Sequence, residues 1–280
     1  MNARKLIVIT GLVTATSLAP SAWATSGCTN SYLSGNYVMQ LAGVSGPGIV
    51  SSIGGLAIPP NTTAQPQATG SNAGGNASSV VGTALLALDG SGNITGYSAA
   101  NIGGQWLQGN LTGTYAVNFD CTFSLALTDG MGNLENYSGV MVNQATSGLI
   151  LQTDAGTGVS GTFSAARTYC QTTDLFGAFG IQYTGSAAKS PFSSVGVMTF
   201  DGQGNVTTVE SRFTQGSSSQ VQSAGTVTVN QDCSFNVSLS SPSVAGGTMN
   251  LFGIADADYK HLHVIQSDAN TAVSGVLSSQ

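Results

Sequence analysis

His261 and His263 are the only histidines of the chain, and their i, i+2 spacing puts both on one face of a β-strand. Imidazole nitrogens are good ligands for zinc or copper, and Asp256 or Asp258 is the candidate third donor, although nothing in the sequence brings either within reach. The plainer reading, two strand histidines beside a solvated acidic turn, is favoured over a metal pair. Glu210 and Arg212 share a strand face in the same way, and an ion pair fits them better than an acid–base couple. No Gly-x-Ser-x-Gly nucleophile elbow and no Gly-x-x-x-x-Gly-Lys phosphate loop occurs. Neither a catalytic residue nor a cofactor is therefore assigned, and the sequence leans away from an enzyme.

The four cysteines, Cys28, Cys121, Cys170 and Cys233, have no C-x-x-C spacing that would suggest metal or redox work. The N-terminus explains them. Arg4 and Lys5 precede an apolar stretch over residues 6–18, and Ala22-Trp23-Ala24 offers an A-x-A cleavage site. The expected signal peptide is residues 1–24, of a bacterial kind, which sends the chain to the periplasm, the cell surface or the medium, where disulfides form. Cleavage leaves four basic residues against 12 acidic ones. A surface of that sign repels phosphate backbones, so nucleic acid is not an expected partner. No later apolar run is long enough for a transmembrane helix.

Only 6% of the 280 residues are charged and 38 are glycine, while 41% are hydrophobic. That excludes coiled coils and highly charged disordered chains. The chain is also duplicated. Asp89-Gly90-Ser91-Gly92-Asn93 returns 112 residues later as Asp201-Gly202-Gln203-Gly204-Asn205. The segment from Gly113 to Asp120-Cys121 returns as Gly225 to Asp232-Cys233, Gln152-Thr153-Asp154 as Gln266-Ser267-Asp268, and Gly35-Asn36-Tyr37 as Gly177-Ala178-Phe179. The first unit, residues 25–167, carries an extra Gly/Pro/Ser/Asn-rich insert at 46–79, read as a flexible loop; the second unit is 168–280. One cysteine opens each unit and another follows its Val-Asn-x-Asp strand, so Cys28–Cys121 and Cys170–Cys233 is the simplest of three possible pairings.

Period-two alternation dominates both units, as in Tyr115, Val117 and Phe119 or Phe123, Leu125 and Leu127. Residues 80–88 and 195–200 are apolar on both faces and suggest strands covered on both sides. Asp89, Gly90, Gly92 and Asn93, with Asp201, Gly202, Gly204 and Asn205, read as tight hairpin turns, a better account than calcium loops. About eight strands per unit predict an all-β chain of two tandem antiparallel eight-stranded barrels, with two β-sandwiches as the alternative.

Gly35-Asn36-Tyr37 and Gly177-Ala178-Phe179, opening the first strand of each unit, resemble the Gly-x-Trp signature of lipocalins and related calycin barrels, with another aromatic in place of tryptophan. Arg167 is similar in position to the arginine that packs over that aromatic. The turn and cysteine motifs also resemble secreted bacterial tandem-repeat β-proteins. The resemblance implies calycin-like barrels, each with room for a small apolar ligand. The expected function is thus an exported binding protein for a small apolar ligand or a cell-surface partner. The alternatives are a structural or adhesive surface protein and a barrel enzyme of cyclase or isomerase type.

Overall fold

The computed structural model describes residues 27–46, 77–130, 132–240 and 247–280. The expected signal peptide and nearly all of the expected 46–79 loop lie outside the described residues. Sixteen strands follow one another among those described. The first eight are β1 (Ser34–Ser45), β2 (Ser78–Asp89), β3 (Asn93–Ile102), β4 (Gln105–Val117), β5 (Thr122–Asp129), β6 (Leu134–Val142), β7 (Ser147–Gln152) and β8 (Thr157–Ala165). The second set is β9 (Phe176–Ala187), β10 (Ser190–Asp201), β11 (Asn205–Thr214), β12 (Ser217–Val229), β13 (Ser234–Ser240), β14 (Thr248–Ala255), β15 (His261–Gln266) and β16 (Thr271–Ser279).

Each set closes into an antiparallel barrel, with β1 pairing β8 and β9 pairing β16. Closure leaves neither unit an edge strand and rules out the sandwich alternative. An eight-stranded barrel is just wide enough for its own side chains. In the first they include Tyr37, Met39, Leu41, Phe123, Tyr137 and Phe163, with the Tyr37 and Phe163 rings stacked 4.5 Å apart. Phe179, Tyr183, Met198, Phe200 and Phe235 take that part in the second.

The turns follow from their residue types. Asp89 accepts hydrogen bonds from the backbone N–H groups of Ser91, Gly92 and Asn93 and from the Asn93 amide. Asp201 repeats the arrangement with Gln203 and Asn205. Gly90, Gly92, Gly202 and Gly204 all have positive φ, where a Cβ would be strained. Gly139 and Gly253 serve a different need, since a Cβ at either would come within 2.3 Å of the Phe123 or Phe235 ring. The disulfides join Cys28 to Cys121 and Cys170 to Cys233, the expected pairing, with Cα–Cα distances of 5.0 and 4.9 Å.

The barrels pack side against side. The outer face of β1–β3, with Val38, Val81, Leu85 and Ala99, meets Phe252, Ile254, Ile265 and Ala272 on the outer face of β14–β16. Tyr97 and Trp106 add edge contacts to the Phe252 ring at 5.9 and 6.0 Å. Hence β2 is covered on both faces, as its sequence suggests. Its counterpart β10 is not: Val195 is 61% exposed, because no second sheet among the described residues lies against that side. The expectation of a doubly covered strand over residues 195–200 is corrected accordingly. Apolar residues on both faces mark a strand fit for burial but do not supply the neighbour.

Candidate functional site

β15 places His261 and His263 on the barrel's outer face, beside the seam with the first barrel, and there their environments diverge. His263 is 7% exposed, whereas the His261 side chain is 52% exposed. Gln40 decides the state of His263. Its amide nitrogen donates to the carbonyls of Gly275 (2.8 Å) and Val264 (3.4 Å), which turns its oxygen towards His263 Nδ1 at 2.9 Å. An amide oxygen only accepts, so the imidazole carries its proton on Nδ1 and presents the Nε2 lone pair to Ser164 Oγ, 3.4 Å away. Hydroxyl, imidazole and amide thus stand in the order of a nucleophile, a base and its orienter. The contact is long for proton transfer, and desolvation, reinforced by His261, pushes the imidazole pKa down to about 4. So weak a base suits a docking contact between barrels better than catalysis.

His261 turns the other way. Its Nδ1 lies 3.1 Å from Asp256 Oδ2, and its backbone N–H donates to Asp256 Oδ1. Asp256, Asp258 and His261 each offer a ligand atom, all within 4.8 Å of one another. The third donor that the sequence left out of reach is therefore brought in, while His263 is held by Gln40 instead. The chemistry of two carboxylates and one imidazole suits a divalent cation. In the structure their lone pairs serve the turn: Asp258 accepts from the backbone N–H of Lys260 and pairs with its ammonium at 3.1 Å. Burial pushes the Asp256 carboxyl upwards in pKa, against the pull of its His261 hydrogen bonds. A cavity of about 240 Å³ opens beside these groups, lined among others by Leu149, Thr162, Ser164, Asp256, His261 and His263.

The remaining acids are structural. Asp154 accepts from the backbone and amide of Asn136 and from Gln152, and Asp268 repeats this with Asn250 and Gln266. Asp120 and Asp232 cap Thr122 and Ser234 just past the disulfide cysteines. Glu210 and Arg212 form the expected ion pair, but inside the second barrel, where Ser194 also donates to Glu210. Arg167, expected over the aromatic of Gly-x-Tyr, lies instead over the Tyr259 ring at 4.1 Å and donates to Ala257 O. Tyr37 already stacks on Phe163, and the chain leaves β8 towards the second barrel, carrying Arg167 with it. The spacing Gly156-x-Gly158-x-x-Gly161 matches a dinucleotide fingerprint, yet Gly158 and Gly161 lie within β8 and no helix follows to hold a pyrophosphate.

No family model and no curated protein matches this chain.

Sequence reasoning missed two outer patches. Val140, Val142, Leu149 and Leu151 on β6–β7 are 39–57% exposed, and Val195, Val209 and Phe213 on β10–β11 are 40–61% exposed. Val140 pairs directly with Leu149, and Val195 with Ser211 beside Phe213, so each patch is continuous across strands. A signal existed for both: Ser147-Gly148-Leu149-Ile150-Leu151-Gln152 is apolar on both faces, and so are residues 195–200, which the sequence suggested were covered.

Proposed function

We propose that the chain is an exported, non-enzymatic binding protein that works through the outer faces of its barrels. The carrying observation is the pair of apolar strand patches, Val140/Val142/Leu149/Leu151 and Val195/Val209/Phe213, left exposed on closed sheets. Exposed apolar patches on soluble folds mark contact surfaces. Two further features support the reading. The interiors are filled by large side chains, Phe163 and Tyr137 in one barrel and Tyr183 and Phe235 in the other each being below 2% exposed, which favours an external partner over an internal apolar ligand. Two disulfides and the sequence of residues 1–24 fit an oxidising compartment, the bacterial periplasm, cell surface or medium. Among the described residues no helix is long and apolar enough to cross a membrane.

The test has two arms. Native mass spectrometry of the exported protein is expected to show the bare chain; a stoichiometric apolar adduct would overturn the external reading. In parallel, retention of the protein at the surface of the exporting cells is expected to fall when Leu149→Ser/Leu151→Ser and Val195→Ser/Val209→Ser are combined. Retention equal to wild type would refute a contact role for the patches.

A further inference from the structure

The two bare patches are related to the buried contact between the barrels. Matching hydrogen bonds fix the correspondence: Asn136–Asp154 repeats as Asn250–Asp268, and Asp89–Asn93 as Asp201–Asn205. On that register β6–β8 of the first barrel correspond to β14–β16 of the second, and β1–β3 correspond to β9–β11. The internal contact uses the β1–β3 face of the first barrel and the β14–β16 face of the second. Each barrel therefore retains the face that its twin has used. Val140 and Leu151 occupy the places of Ile254 and Ile265, and Val197 and Val209 those of Leu85 and Tyr97.

Resting on the contact role above, we propose that a second copy of this chain is the occupant. The β9–β11 face of one molecule docks on the β6–β8 face of the next and repeats the internal barrel–barrel contact between molecules. Charge does not oppose the contact. Glu135, Glu210 and Arg212 within these strands point inwards and are buried, leaving Asp201 at a turn. The two faces are centred three strands apart around each barrel, β7 to β2 through β8 and β1. They share a margin at β8, where Ser164 already meets His263, so the free part of the face is that of β6 and β7.

A contact between unlike faces does not close on itself as a twofold dimer does, so the product is a linear or helical string. It is weaker than the internal contact, because Ser138 stands where Phe252 does and Ser193 where Val81 does. The internal contact also has the linker to raise its effective concentration.

Sedimentation velocity of the purified full exported chain over a concentration series tests this. Wild type is expected to grow from monomer to dimer and longer species. Leu149→Glu/Leu151→Glu and Val195→Glu/Val209→Glu are each expected to weaken association at least tenfold, with unchanged near-ultraviolet circular dichroism. Mixed together, the two variants retain one complementary pair of faces and are expected to form one-to-one dimers that grow no further. A wild type that stays monomeric throughout would overturn the proposal, as would a variant that still associates alone or a mixture that does not. A monomeric wild type whose cell-surface retention still depends on both patches would overturn self-association while leaving the contact role standing.

Discussion

The two barrels share strand order, turns and disulfides, yet their interiors differ at matching positions. Where β3 of the first carries Ser98 and Ala100, β11 of the second carries Glu210 and Arg212. The first barrel keeps a buried glutamate on β6, where the Tyr137 hydroxyl donates to Glu135 at 2.6 Å. The second has Met249 there, and Arg212 reaches its sulfur at 3.7 Å. An acid that changes strand between copies, while finding a partner each time, is filling space rather than serving a shared reaction. The barrels diverge outside as well: one docks through β1–β3, the other through β14–β16.

Removing one member of the buried pair should produce the largest difference between the copies. Arg212→Ala leaves Glu210 buried without its guanidinium and is expected to destabilise the second barrel by about 3–5 kcal/mol in urea unfolding. Installing the first barrel's residues together, Glu210→Ser with Arg212→Ala, should cost less than Arg212→Ala alone. If the double variant proves the less stable, the ion pair contributes more than space filling.

Acid should act next, and on the contact between barrels. The His263 imidazole titrates near 6.5 when unfolded and near 4 when folded, so on acidification the unfolded chain takes up the proton first. Stability is therefore lost as pH falls from about 6.5 to about 4, by on the order of 3 kcal/mol. His263→Gln should flatten that part of the profile. The first barrel has Leu149 at this place, and a steep loss persisting in the variant would assign the acid sensitivity elsewhere.

The smallest effect tests sameness. Asp89→Ala releases the backbone N–H groups of Ser91, Gly92 and Asn93 and Asp201→Ala those of Gln203 and Asn205, each with one asparagine amide. Both should lower thermal stability slightly and to a similar extent. Turn hydrogen bonds hold the Asp89 carboxyl down at about pKa 2, and that of Asp201 also below the usual range. Unequal losses would show that the matching turns are not energetically equivalent.

Much of the fold was legible because its causes are local. Alternation with period two at Phe123, Leu125 and Leu127 requires only that one face meet a core, and the Asp-Gly-x-Gly-Asn turns carry their own hydrogen bonds. The duplicated cysteines gave their pairing for the same reason, since each lies at a fixed place relative to a repeated strand. The histidine pair was legible only as far as its common face. Gln40, more than 220 residues away, holds His263, while a nearby acid holds His261, and no spacing along the chain encodes that difference.

By itself, then, the sequence determined strands and turns, which depend on neighbours along the chain or across one hairpin, and duplication and bridges, which follow from residues recurring at matched places in the two copies. The tertiary structure alone decided which outer faces are covered. Leu85 and Val195 are both apolar residues on outward strand positions, but Leu85 meets a second sheet and Val195 meets water. Burial on an outer face depends on how two closed surfaces dock, and alternation identifies such a face without naming what lies against it.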